Sequence, residues 1–329
     1  MRHFFFLLAR ACGATSLAND GLIAPVSFEA NGNLEPGCAA EPVCCSASDC
    51  CCEKDYLFGL IAPTSLCHSD YISPMTNPVY FEDPRTLTEV RFIFAHHALP
   101  GTAPLSGGSI QLLAAQVRVA LNERTSIIAN KDGYFWFSDN IPFAPNDGWA
   151  DMNIGLKHNV FVSDDYSQIL SVGATYEAPW GSTRSFQGNG DGQFNMFASG
   201  GMRVGDCGHF LAAGGLKIPA DSVNNSQLAY FSAHYDRQVS GTNLYWFTEA
   251  NWYHYVASGQ RIPGLAIEGG DLFNLGSGDV AGNDIVTGAL GVKMKPTALQ
   301  EIGFAWEVPL TERRDVLEYR LTADWIVRY

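Results

Sequence analysis

The sequence predicts an all-β fold: an antiparallel, up-and-down transmembrane β-barrel of about twelve strands, preceded by an irregular Cys-rich segment. Three observations carry this expectation. The final stretch, Val316 to Tyr329, alternates without a break. Leu317, Tyr319, Leu321, Ala323, Trp325, Val327 and Tyr329 share one parity, and Glu318, Arg320, Asp324 and Arg328 share the other. Side chains in a strand alternate faces, so one face is apolar or aromatic and the other holds the charge. That is the pattern of a strand between lipid and a polar lumen. Second, similar segments recur after residue 85, separated by Gly, Pro, Asn, Asp and Ser. Third, charged residues make up only 16% of the 329-residue chain, below the ~25% usual in soluble proteins. Mean hydropathy is nevertheless −0.02, as expected where alternation hides the apolar surface.

The chain divides into three parts. Residues 1–20 resemble an export signal: Arg2 and His3, an apolar run from Phe4 to Ala9, then small residues. Residues 21–85 read as a Cys/Pro-rich linker or plug segment. Eight of the nine cysteines lie in the first 67 residues. The runs Cys44-Cys45 and Cys50-Cys51-Cys52 do not match the pair spacing of zinc sites, so no metal and no cofactor are expected. Cys207, between Asp206 and Gly208, reads as an inert turn residue. Tyr56 to Pro63 reads as a short helix or plug segment, and the Ser-Pro, Asn-Pro and Asp-Pro steps between Tyr71 and Arg85 favour extended or turn backbone.

Residues 86–329 form the barrel. The expected strands are Leu87–His97, Gly108–Leu121, Thr125–Phe137, Trp149–Val162, Tyr166–Ala178, Gln193–Val204, Gly208–Ile218, Gln227–Arg237, Leu244–Val256, Asp284–Lys295, Leu299–Pro309 and Val316–Tyr329. Pro263–Leu275 is a weakly patterned thirteenth segment, and the even count expected of single-chain bacterial barrels favours twelve. Each strand with its connection then has about twenty residues, against the ~9–11 needed for a tilted crossing. Ser138–Asp147, Gly181–Gly192 and Gly276–Asn283 read as long loops. The last strand is expected to close the barrel against Leu87–His97.

Parity assigns an inward set: Glu89, Arg91, Arg118, Lys157, Glu177, Lys217, Lys293, Glu301, Glu307, Glu318, Arg320, Asp324 and Arg328. Both signs occur, so these side chains either pair across a narrow or plugged lumen or set up a field for polar solutes. The rival reading is structural, with inward charges holding strands in register. Trp246, Trp252, Tyr245, Tyr253 and Tyr255 read as an interfacial aromatic girdle. Gly276 to Ala281 and Asn189 to Gly192 read as loop and turn rather than nucleotide or calcium sites. His96-His97 reads as an interfacial or loop pair. No nucleophile motif is present, so no catalytic residue is assigned. The net charge of −14 argues against nucleic acid.

Asp151-Met152-Asn153-Ile154-Gly155-Leu156-Lys157-His158, followed by a strand ending Glu177-Ala178-Pro179-Trp180-Gly181, resembles the outer-membrane family of transporters associated with the phenol meta-degradation pathway. That family shows a Gly-Asp turn, a strand with Gly-Leu-Lys and an aromatic, then a strand closing on Pro-x-Gly. Here Trp149-Ala150 replaces the glycine and His158 the aromatic. The resemblance spans residues 86–329. It implies a bacterial outer-membrane channel for small, hydrophobic or aromatic solutes, and it transfers no binding residue. In proteins of this appearance the barrel-assembly machinery recognises a terminal aromatic, which makes Trp325, Val327 and Tyr329 an expected assembly signal. Outer-membrane lipid, that machinery and a small-molecule solute are the expected partners. The alternatives are a structural or adhesive barrel with a closed lumen and, behind it, a barrel enzyme.

Overall fold

The computed structural model describes residues 56–139, 141 and 146–329. The export-signal stretch and the cysteines from Cys12 to Cys52 lie outside the described residues.

The strand segments are β1 (Glu89–Ala98), β2 (Ser109–Ala120), β3 (Thr125–Ala129), β4 (Tyr134–Phe137), β5 (Gly148–Trp149), β6 (Met152–Val162), β7 (Gln168–Ala178), β8 (Gln193–Val204), β9 (Gly208–Pro219), β10 (Gln227–Gln238), β11 (Leu244–Ala257), β12 (Asp284–Thr297), β13 (Gln300–Pro309) and β14 (Tyr319–Arg328). They make twelve staves. β3 and β4 both pair with β2 and form the third, while β6 and β5 pair with them and form the fourth. Side chains hold the break in the third stave. Asp132 accepts the Ala115 N–H at 2.9 Å, and the Asn153 amide oxygen accepts the N–H groups of Asn130 and Lys131, each at 2.8 Å. Side-chain acceptors thus stand in for the missing ladder bonds.

Every neighbouring pair is antiparallel, and β1 pairs with both β2 and β14. The register runs Glu89↔Arg328 to Ala98↔Tyr319, the closure expected from the sequence. Closing the sheet removes the unpaired edges that a large open sheet would expose. Pro263–Leu275 contributes no stave. It lies in a long loop with isolated bridges only, because its small and apolar residues do not alternate.

Connections alternate in length. Residues 121–124, 163–167, 205–207, 239–243 and 298–299 are short turns at one end. Residues 99–108, 138–147, 179–192, 220–226, 258–283 and 310–318 are longer and lie at the other end.

The apolar face points outward. On β13, Ile302, Phe304 and Trp306 are 43–48% exposed, whereas Glu301 and Glu307, which flank them on the other parity, are fully buried. The inversion repeats around the barrel at Phe92, Leu113, Ile154, Val172, Met196, Phe231, Trp252 and Leu290. A soluble surface rarely carries a continuous apolar belt of this kind; lipid is the solvent that suits it. The aromatic-girdle expectation needs a correction. Trp246 and Trp252 face outward, but Tyr245, Tyr253 and Tyr255 are 3% exposed and face inward. They differ from the tryptophans in parity, so one strand puts the two sets on opposite faces.

Candidate functional site

The barrel interior holds the charged side chains, together with a segment of chain that lies N-terminal to β1. Residues 56–61 form a turn closed by a Leu57↔Ile61 bridge, where a short helix was one expectation. From there the chain is clamped at the short-turn end. The Ala62 N–H donates to the Ala120 carbonyl at 2.8 Å, and the Thr64 N–H to the Tyr329 carbonyl at 2.6 Å. Residues 71–88 are almost entirely buried. They run along the inner wall and return to β1.

This stretch has no ladder of its own, so the wall must satisfy its backbone. Glu301 accepts the Ser73 N–H at 2.9 Å. Glu249 accepts the N–H groups of Met75 and Thr76 at 2.7 and 2.6 Å. Lys293 donates to the Ser73 carbonyl at 2.8 Å and Lys295 to the Tyr71 carbonyl at 2.9 Å. Gln116 donates to the Pro78 carbonyl at 2.8 Å and Asn130 to the Val79 carbonyl at 2.9 Å. The proline steps at Pro74, Pro78 and Pro84 keep the backbone out of regular structure. That leaves its amides and carbonyls free for wall side chains.

Of the thirteen residues assigned inward by parity, twelve are buried charges with charged partners. Glu89 contacts Arg118 and Arg328, both at 2.9 Å. Arg91 pairs with Asp324 at 2.9 Å. Arg118 and Lys157 share Glu82 at 2.7 and 2.8 Å. Glu177 lies between Lys131 at 2.6 Å and Lys217 at 3.1 Å. Lys293 reaches Asp324 at 3.0 Å and Glu301 at 3.3 Å, and Glu301 meets Arg328 at 2.7 Å. Arg320 bridges Glu307 at 2.8 Å and Asp271 at 2.9 Å. Glu318 is placed differently. It precedes β14 and pairs at the surface with Arg314 at 2.7 Å, because β14 begins one residue later. Trp325, Val327 and Tyr329 lie on the other parity; Trp325 is 47% exposed and packs against Phe92 with ring centroids 5.8 Å apart.

Several interior groups were not in the parity set. Asp70, Glu82, Asp83 and Arg85 come from the stretch before β1, which has no period to reveal a face. Arg85 is held by Asp83 at 2.7 Å and donates to the Tyr71 carbonyl at 3.0 Å. Lys131 sits at the break in the third stave, where parity is lost. Glu249, His234, Asp236 and His209 were within reach of the alternation, since each lies among buried residues of one parity. They form a chain: Asp70–His209 at 3.0 Å, His209–Asp236 at 2.8 Å, Asp236–His234 at 3.0 Å and His234–Glu249 at 2.7 Å. The chain joins the pre-β1 stretch to β9, β10 and β11. Of the histidine pair, buried His97 meets the Val316 carbonyl at 2.8 Å through Nε2, and His96 contacts Gln111 at 3.2 Å.

The long-loop end is filled from the other side. Loop 258–283 folds inward, anchored by Asp271 on Arg320 and by the Leu272 carbonyl on Gln187 at 3.0 Å. Leu265, Phe273 and Leu275 pack with Leu99, Leu105, Ile110, Phe135 and Val316 in an apolar cluster. A cavity of about 30 Å³ remains beside Tyr253, Asp271 and Arg320, and one of about 20 Å³ between Val79, Leu272 and Lys131. These are water-sized. Among the described residues, no group of His, Cys, Asp and Glu is arranged to hold a metal ion.

No family model matches the sequence, and no curated protein matches it at a significant level. Solved structures do resemble it. The COG4313 outer membrane channel from Pseudomonas putida F1 superposes with a TM-score of 0.50 at 12% identity, over 79% of this chain and all of that one. The NanC porin gives 0.46 at 7% identity over 74% and 98%, and the KdgM porin in complex with disordered oligogalacturonate gives 0.43 at 8% over 73% and 99%. At 12% identity the likeness to the Pseudomonas channel is one of fold.

Proposed function

We propose that the protein is a bacterial outer-membrane channel for small solutes. In this conformation residues 62–88 close it from the short-turn end and loop 258–283 closes it from the other. One observation carries the reading: the lumen is filled by irregular chain held through polar side chains of the wall. Hydrogen bonds of this kind are worth ~1–3 kcal/mol net each, the larger values where the wall group is charged, because water offers the same partners. Such a filling can be exchanged for water or a polar solute without disturbing the barrel ladders. A continuous apolar core offers no such exchange. Twelve strands are also intermediate between barrels filled by their own side chains and open porins.

The outward apolar belt suits outer-membrane lipid. Small hydrophobic or aromatic solutes, the class implied by the family resemblance, match in polarity the apolar cluster of Leu99, Leu105, Phe273 and Leu275, which is packed shut at the loop end in this conformation. No catalytic role is assigned to any residue. The competing reading is a structural barrel with a permanently closed lumen, favoured by the complete pairing of charges such as Arg328, which meets Glu89 and Glu301 together. Single-channel recording in planar bilayers separates the two. Discrete conductance steps that grow when loop 258–283 is shortened support the channel. A silent protein at every voltage, with and without the loop, leaves the structural barrel.

A further inference from the structure

Glu82, from the stretch before β1, sits in a receptor made entirely by the wall. The Arg118 Nε donates to its Oε1 at 2.8 Å and the Arg118 Nη2 to its Oε2 at 2.7 Å. Lys157 Nζ donates to Oε1 at 2.8 Å. Arg118 is 2% exposed, and Glu82 and Lys157 are 1% exposed. A guanidinium fork meeting both oxygens of a planar anion, with an ammonium on one of them, is the arrangement that best matches a carboxylate. The two cations come from β2 and β6, with β3 of the third stave between them, so the ladders fix their separation. The opposite edge of Arg118 is held by Glu89 at 2.9 Å. Ser126 of β3, Lys157's register partner, is fully buried, and its hydroxyl has no partner among the described residues.

We propose that Arg118 and Lys157 form a recognition site for the carboxylate of a transported solute, and that Glu82 occupies it as an internal competitor while the lumen is closed. The inference rests on the channel reading above and narrows its substrate class. When Glu82 leaves, Lys157 loses its charged partner and Arg118 keeps only Glu89. An uncompensated buried charge is strongly unfavourable, so the closing stretch leaves most readily when another anion takes its place. A neutral solute cannot do this. A small carboxylate can, and an aromatic carboxylate also suits the apolar cluster at the loop end. The site thus couples opening to the arrival of the right solute class.

The full-length protein in detergent tests the site without requiring transport. In Glu82→Ala, 50 mM benzoate or acetate should raise the midpoint of heat-modifiable unfolding by several degrees over equal sodium chloride. Benzamide should not, and Glu82→Ala/Arg118→Gln should lose the shift. In the wild-type protein, benzoate should speed amide exchange at Glu82 and Asp83 at least threefold, because it displaces the competitor. Should Glu82→Ala fail to fold, the isosteric Glu82→Gln is read in bilayers. Its current should be blocked by benzoate at a concentration at least tenfold below that of benzyl alcohol. A carboxylate-selective shift in a protein that never conducts would keep the site and remove the channel. Conductance without carboxylate preference, or wild-type exchange that ignores benzoate, would overturn the site and leave the channel.

Discussion

The Glu249 carboxylate, in the middle of β11, accepts the backbone N–H of Met75 at 2.7 Å. The same group accepts the Thr76 N–H and hydroxyl and meets His234 Nδ1 at 2.7 Å. One wall carboxylate therefore fixes two consecutive amides of the stretch that fills the lumen. In Glu249→Gln the amide group supplies one acceptor oxygen where the carboxylate had two. Hydrogen bonds to a charged acceptor are worth ~1.5–3 kcal/mol, so protection from amide exchange at Met75 and Thr76 should fall roughly tenfold to a hundredfold. The ladder amides of β11 should be unchanged. Equal loss along β11 would mean that Glu249 supports the barrel and not the filling.

Gly303 tests the same filling by volume. It lies on the inner face of β13, with Lys293 and Asp324 as its register partners on either side. Those two side chains meet across it at 3.0 Å. A Cβ at this position would lie 2.5 Å from the Met75 Sδ and 2.6 Å from an Asp324 oxygen. Overpacking of this kind costs typically ~1–3 kcal/mol, and the mobile partner is Met75 rather than the wall. Gly303→Val should leave the folded barrel intact by gel migration and lower amide-exchange protection at Met75 and Thr76 by tenfold or more. Unchanged protection would show that the wall yields instead.

The barrel was legible in the sequence wherever the period-two pattern ran unbroken. β13 and β14 were read almost residue by residue, because every inward position from Glu301 to Glu307, and every one but Ile326 from Arg320 to Arg328, is polar or small. The chain before β1 was not legible in the same way. Glu82, Asp83 and Arg85 have no period, and Glu82's partners, Arg118 and Lys157, lie on strands farther along the chain. Proline steps predicted irregular backbone there but could not say what surrounds it. Tyr253 and Tyr255 were misread because an aromatic on a barrel strand suits either face. Only their parity relative to Trp252 decides it, and that parity was available.

Asp315 gives the loop end a pH dependence. It lies in the 310–318 connection, outside the staves, with its Oδ2 accepting the Glu268 N–H at 3.0 Å and its Oδ1 2.8 Å from Arg313. Burial pushes its carboxyl up to about 7, against the opposing pull of Arg313. A raised folded value for an acid means that the folded state binds the extra proton between about 4 and 7. The stabilisation is present at low pH and is lost as the pH rises through 7. Between pH 5 and pH 8, amide protection factors at Glu268 and across residues 310–318, taken relative to the intrinsic exchange rate at each pH, should therefore fall. Asp315→Asn should abolish the dependence without backbone strain, since the φ of +45° at this position suits asparagine. A pH response that survives the substitution would assign it to another group.

The seam between β14 and β1 offers the last test. The Tyr329 N–H donates to the Thr88 carbonyl at 2.9 Å, and the Tyr329 carbonyl accepts the Thr64 N–H at 2.6 Å. Its backbone thus ties the seam to the start of the filling stretch, while its ring shares the outward parity of Trp325 and Val327. We propose an assembly role for the ring beside the clamping role of the backbone, and two variants separate them. Removing Tyr329 deletes both and should lower the amount of inserted barrel several-fold, while the protein that inserts also has a looser residue 62–64 clamp. Tyr329→Ala keeps the backbone bonds and deletes only the ring. If the ring is an assembly signal, Tyr329→Ala should insert as poorly as the deletion yet retain wild-type exchange protection at Thr64. Wild-type insertion of Tyr329→Ala would strip the ring of that role and leave the backbone clamp as the whole contribution of this residue.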